Sequence, residues 1–138
     1  MTSDQTPGPL SLDAPDLVAR LEQLSREALD SLPFGVIRLN AEGVVEYYSK
    51  TEAVQSGFRL ERAYRKRFFS EIAPCLATPE LLDRMERARR AGTLDISLEQ
   101  VGDFADPNRL LRVRISAAAD GGLWVALQRP ELAAISGT

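Results

Sequence analysis

The sequence predicts an α+β domain, a five-stranded antiparallel sheet with short helices on one side and a helical cap at the N-terminus. Three observations predict it. In the last third, Leu94, Ile96 and Leu98 alternate with Asp95, Ser97 and Glu99, and Leu111, Val113 and Ile115 alternate with Arg112 and Arg114. Alternation of this kind has the period of half-buried strands. Earlier, the β-type runs Val36-Ile37-Arg38-Leu39 and Val44-Val45-Glu46-Tyr47-Tyr48 flank Asn40-Ala41-Glu42-Gly43, which reads as a hairpin turn. No strand–helix–strand spacing repeats along the chain, so a parallel sheet is not indicated.

Residues 1–12 are rich in Ser, Thr, Pro and Gly and read as a flexible tail. Residues 13–32 read as the helical cap. Asp13 is its N-cap, Pro15 lies in its first turn, and Leu17, Leu21, Leu24 and Ala28 form one apolar stripe. Residues 33–129 form the core of the domain, and 130–138 a C-terminal tail. Within the core, residues 49–78 carry no long period and read as short helical turns. Thr78-Pro79-Glu80 opens a clear helix with an N-cap, a proline at the first position and an early acid, and Gly92 stops it. Asp106-Pro107-Asn108 and Asp120-Gly121-Gly122 turn the chain between the last strands, of which Leu123-Trp124-Val125-Ala126-Leu127 is mostly apolar.

The chain has 138 residues, 17 basic and 20 acidic, and a net charge of −3. That balance suits one soluble domain and argues against nucleic-acid binding through bulk charge. There is no histidine, which excludes Ser-His-Asp and Cys-His catalysis and His-containing metal sites. The lone cysteine, Cys75, cannot form an internal disulfide. No apolar run is long enough to span a membrane, and the first residues lack a signal-peptide pattern, so the expected location is the cytoplasm. No phosphate loop or calcium loop is present.

Two local features remain. Arg59, Arg62, Arg65, Lys66 and Arg67 form a basic stretch, which reads as a solvated face or a site for an acidic partner. Cys75 reads as a small buried hydrophobe or, near the start of the Thr78 helix, as a thiol pushed towards thiolate. Without histidine to assist it, a modified cysteine fits better than a catalytic one.

Phe34 to Gly43, Tyr48, Glu52 and Phe68-Phe69-Ser70-Glu71-Ile72-Ala73-Pro74-Cys75 together resemble the photoactive yellow proteins, blue-light sensors of the PAS-domain superfamily. The resemblance runs without a gap from Phe34 to about Gly92 and more loosely to Leu127. It implies a PAS fold and p-coumaric acid carried as a thioester on Cys75. Tyr48 and Glu52 match the two groups that hydrogen-bond the phenolate oxygen, and Ser56 a hydroxyl that supports the tyrosine. Phe68 and Phe104 match aromatic positions near the chromophore. Phe58 stands where better-known members have an arginine over the pocket, and Gly102 and Asp106 replace apolar positions in the covering loop. Strand alternation puts Tyr47 and Tyr48 on opposite faces, and the gapless spacing to Cys75 selects Tyr48.

The implied cycle is photoisomerisation followed by proton transfer from Glu52. A free phenol titrates near about 10 and a free glutamate near about 4.3, so a buried phenolate beside a protonated Glu52 requires burial and strong hydrogen bonds. Loss of the proton would leave a carboxylate in an apolar pocket, relieved by loosening of the helix around Leu17–Ala28. No substrate is converted, so the chain is not expected to be an enzyme. A downstream signalling protein is the implied partner, with no nucleic acid, no membrane, and a monomer or weak dimer. Two other readings stay open: a PAS-type binding or dimerisation module without chromophore, and a thiol redox sensor acting through Cys75.

Overall fold

The computed structural model describes residues 10–57, 59–101 and 109–129. Five strands form one antiparallel sheet: β1 (Gly35–Leu39), β2 (Val45–Tyr48), β3 (Asp95–Val101), β4 (Leu110–Ala117) and β5 (Leu123–Gln128), in the order β2-β1-β5-β4-β3. The expected architecture is therefore the one observed. The strand with the most continuous apolar run, β5, is the central one, and its residues from Leu123 to Leu127 are all buried. The β1–β2 turn is closed by Asn40, whose Oδ1 accepts from the Glu42 and Val44 amides at 2.9 and 3.0 Å, while Gly43 takes φ +82°.

The sheet is covered on both faces. One face, with Ile37, Tyr48, Val113 and Val125, packs under Phe68, Ile72, Leu76 and Leu81. These come from the helical middle: α3 (Lys50–Ser56), α4 (Leu60–Ala63), a π-helical turn (Phe68–Ile72), a 3-10 turn (Pro74–Leu76) and α5 (Pro79–Ala91). As the sequence predicts, Thr78 caps α5, its Oγ1 accepting from the Leu81 amide at 3.1 Å. The other face, with Val36, Tyr47, Trp124 and Ala126, is covered by the N-terminal segment.

That segment departs from the expected single helix. It forms two short ones, α1 (Leu17–Leu21) and α2 (Arg26–Asp30). Ser25 breaks the run because its hydroxyl caps α2, accepting from the Ala28 amide at 3.1 Å. Leu29 rather than Ala28 is then the buried residue of the last turn. Asp13 does not cap. The residue before α1 is Asp16, and Asp13 instead accepts from Arg112 at 2.8 Å. The tail is also shorter than expected, since Leu10 and Leu12 are buried in the cap's cluster.

Polar ties add to the buried leucines that hold the cap. Arg114 donates to the Leu12 and Ala14 carbonyls at 2.9 and 2.5 Å, and the Trp124 indole donates to Glu22 at 3.1 Å. Between α1, α2 and the sheet runs a groove of about 430 Å³, lined by residues that include Leu21, Leu24, Arg38 and Trp124. Two single-turn helices have little helical stability of their own, so the cap depends on its docking against the sheet and is the part of the fold expected to open first.

Candidate functional site

The site is built where α3 crosses the start of β1. Ser49, fully buried, caps α3. Its Oγ accepts from the Glu52 amide at 3.1 Å and from the Val36 amide at 3.0 Å, and its own amide donates to the Val36 carbonyl at 2.9 Å. One serine thus ends β2, starts α3 and fastens both to β1. Glu52 and Ser56 follow four residues apart on the same face of α3, and both are buried, whereas Val54 is 81% exposed. Tyr48, at the end of β2, points to that face, and its hydroxyl lies 3.1 Å from the Ser56 Oγ.

Glu52 is packed with no exposed surface. It reaches its position only because residue 35 is glycine, since a β-carbon there would overlap the Glu52 Oε1. Its carboxyl group is met by Arg129, the residue that follows β5. The two guanidinium nitrogens donate to Oε1 and Oε2 at 2.7 and 2.8 Å, and both side chains are wholly buried. A fork-to-fork pair of this kind favours the ionised carboxylate over the acid. Sequence reasoning missed Arg129. An arginine just past an apolar strand reads as the strand's solvated end, and its partner lies 77 residues away.

Tyr48 and Phe68 belong to one core cluster, and Phe68 is fully buried. Phe68 begins the π-helical turn, closed by the Ala73 amide donating to the Phe68 carbonyl at 2.8 Å. The backbone of Cys75 is in the 3-10 turn that follows, between Ala73 and Leu76, both buried in the same cluster. Phe58 and Phe104, with Gly102 and Asp106, lie outside the described residues. Tyr47 and Trp124 face the opposite cluster. Burial and the hydrogen bond to Asp30 push the Tyr47 hydroxyl well above the usual phenol range.

The basic stretch is a solvated face: Arg59, Arg62, Arg65, Lys66 and Arg67 are all exposed. Their backbone extends the sheet edge, with the Val45 amide donating to the Lys66 carbonyl at 2.8 Å. Among the described residues there is no cluster of metal-ligating side chains and no helix long and apolar enough to cross a membrane.

The site thus brings a buried tyrosine–serine hydroxyl pair and a buried carboxylate–guanidinium pair together on one side of α3. Curated photoactive yellow proteins are similar to this chain. The one from Halochromatium salexigens is 29% identical over 115 residues, 83% of this chain and 92% of the relative. That from Rhodobacter capsulatus is 25% identical over 72% of this chain and 82% of its own length. Among solved structures, the photoactive yellow protein domain of the sensor histidine kinase Ppr from Rhodospirillum centenum matches with a TM-score of 0.67 and 27% identity. It covers 79% of this chain and 96% of that domain. A sensory-box histidine kinase domain from Geobacter sulfurreducens, 12% identical with a TM-score of 0.57 over 86% of this chain and 99% of that one, shares the fold alone. The family model described as PAS fold matches residues 29–128, and the chain belongs to that family.

Proposed function

We propose that this chain is a blue-light photoreceptor that carries p-coumaric acid as a thioester on Cys75. The observation that carries the reading is the buried Tyr48–Ser56 hydroxyl pair on the same face of α3 as the fully buried Glu52. It occurs in a PAS chain similar to the photoactive yellow proteins. The residues fit the group: a buried phenolate needs strong hydrogen bonds, Tyr48 is an acidic donor suited to it, and Glu52 would become one on taking up the phenol's proton.

When bound, the chromophore supplies a light-driven trans-to-cis isomerisation and a phenol oxygen that gains or loses a proton. The remaining work belongs to the chain. Tyr48 donates to the phenol position, and Ser56 fixes the tyrosine hydroxyl. Phe68 keeps the floor of the pocket apolar, and Phe58 and Phe104 belong to its walls by resemblance. Glu52, in its protonated form, gives a proton across the pocket after light. The cap formed by α1 and α2 then passes the change on to a downstream signalling protein. No substrate bond is made or broken, so the chain acts as a sensor rather than an enzyme, in the cytoplasm, as a monomer or weak dimer.

The test is intact mass and visible absorption after reconstitution with activated p-coumaric acid. One coumaroyl adduct is expected on the wild type and none on Cys75→Ala, with colour that bleaches in blue light and returns in the dark. An adduct that forms equally on Cys75→Ala would overturn the attachment site. A colourless wild type would leave a PAS binding or dimerisation module. Sulfenic acid formation at Cys75 would instead favour a thiol redox sensor.

A further inference from the structure

We propose that Arg129 is the internal counter-ion of Glu52, and that it limits how far loss of the Glu52 proton forces the fold open. The inference rests on the photoreceptor reading for its role in light, but not for the ion pair itself.

A glutamate that loses its proton in an apolar pocket leaves a bare carboxylate there, and relief of that charge would drive opening. The pocket in this chain is different. Arg129 donates to both Glu52 oxygens at 2.7 and 2.8 Å with no solvent between them. Its backbone follows directly on β5, which is paired on both sides, so the guanidinium is delivered from the most constrained part of the sheet. Gly35 leaves the space through which the pair closes. Among the described residues, Ser49, Ser56 and the Tyr48 hydroxyl are buried polar groups packed with it. Arg109 donates to the Gln55 carbonyl at 3.1 Å, near the C-terminal end of α3.

The charge count follows. Among the described residues, Arg129 brings one positive charge to the buried site, so the site is neutral with one anion in it. Without a ligand that anion is the Glu52 carboxylate. With a phenolate bound, Glu52 would hold the proton, and the site would still carry one anion for the one charge of Arg129. When Glu52 returns that proton to the phenol oxygen, its carboxylate regains both guanidinium hydrogen bonds. The proton moves between two oxygens, the sum of charges is unchanged, and no bare carboxylate forms. The expectation that an unpaired Glu52 charge pushes the cap open is replaced by one in which Arg129 absorbs most of that push.

Two measurements test this. In the protein without chromophore, infrared difference spectra at neutral pH between wild type and Glu52→Gln should show a carboxylate band for Glu52 and no buried carboxylic acid band. In Arg129→Gln a buried acid band should appear, be removed by adding Glu52→Gln, and be absent from Arg129→Lys, which keeps the charge. In the reconstituted protein, light-minus-dark hydrogen exchange over residues 13–32 should be small in the wild type and several-fold larger in Arg129→Gln. It should fall back in Arg129→Gln/Glu52→Gln. A protonated Glu52 in the wild type without chromophore would overturn the ion pair, and that arm needs no Arg129 variant to fold. Equal light-induced exchange in wild type and Arg129→Gln would overturn the counter-ion role. A protein that takes up no p-coumaric acid would fail the photoreceptor reading alone, because the infrared arm still decides the ion pair.

Discussion

The Tyr47 hydroxyl donates to the Asp30 carboxylate at 2.5 Å, tying the end of α2 to β2 on the face of the sheet opposite Tyr48. The same Asp30 oxygen accepts from the Lys50 amide at 2.9 Å, and the Thr51 hydroxyl reaches the Asp30 and Leu32 carbonyls at 3.0 and 2.7 Å. The cap is therefore clasped to the first turn of the helix that carries Glu52. Strain in α3 and release of the cap share these bonds, which gives a short physical route between the candidate site and the element expected to move.

Removing the Tyr47 hydroxyl should loosen the clasp without touching the pocket. A hydrogen bond to a charged group contributes about 1.5–3 kcal/mol. Asp30 keeps its Lys50 partner in Tyr47→Phe, and the ring keeps Arg26 stacked 5.2 Å from its centre. The expected loss is near the lower end of that range in urea unfolding, with faster exchange at Arg26–Asp30. Colour in the reconstituted protein should be unchanged, whereas Tyr48→Phe should shift the absorption with the chromophore still attached. The reverse pattern would mean that Tyr47, not Tyr48, serves the pocket.

Gly35→Ala should displace Glu52. The added methyl overlaps the carboxylate oxygen itself, and Glu52 is enclosed on all sides. Overpacking of a filled core costs about 1–3 kcal/mol, and here the clash falls on an ion pair that has to stay aligned. The predicted loss is at least about 2 kcal/mol in urea unfolding. In a Glu52→Ala/Arg129→Met background the same substitution should cost much less. An equal cost in both backgrounds would show that the glycine serves some other purpose.

The legible and the hidden parts of this fold divide by range. The strands were readable because alternation is local, and α5 because Thr78, Pro79 and Gly92 are local signals. Tyr48, Glu52 and Ser56 were placed by resemblance to the photoactive yellow proteins, not by any local period, since Tyr48 ends a strand and the other two lie on a helix. The cap was overrun because Leu17, Leu21, Leu24 and Ala28 satisfy one helical stripe equally well with or without a break. The break depends on Ser25 finding the Ala28 amide. Arg129 was hidden for a stronger reason. Its meaning comes from β5 lying beside β1, which brings it to a carboxylate set far earlier in the chain. No local pattern encodes that meeting. Gly35 carried the one available hint, as a glycine at the start of an otherwise apolar strand, but its reason is a side chain from α3.

Acid should weaken the attachment of the cap through Asp95. Arg114 donates to both Asp95 oxygens at 2.9 and 2.8 Å, and with the Ser116 hydroxyl it holds the Asp95 carboxyl below its ordinary value despite partial burial. The folded state thus binds the Asp95 proton less readily than the unfolded chain. The resulting stabilisation is complete above the unfolded value of about 3.9 and is lost as pH falls through the lower folded value. Asp95 is about half exposed, at 49%, so the direct contribution should be about 1 kcal/mol or less. The structural consequence is larger than the energy suggests, because the same guanidinium holds the Leu12 and Ala14 carbonyls of the cap. Protonated Asp95 would leave Arg114 free to turn from them. Asp13 on Arg112 and Glu22 on Trp124 also tie the cap, so Asp95→Asn isolates the Asp95 part. Protection factors over residues 10–24, corrected for the intrinsic exchange rate, should fall below about pH 4 in the wild type. In Asp95→Asn they should start lower and fall less. Parallel curves for the two proteins would show that Asp95 does not govern the docking of the cap.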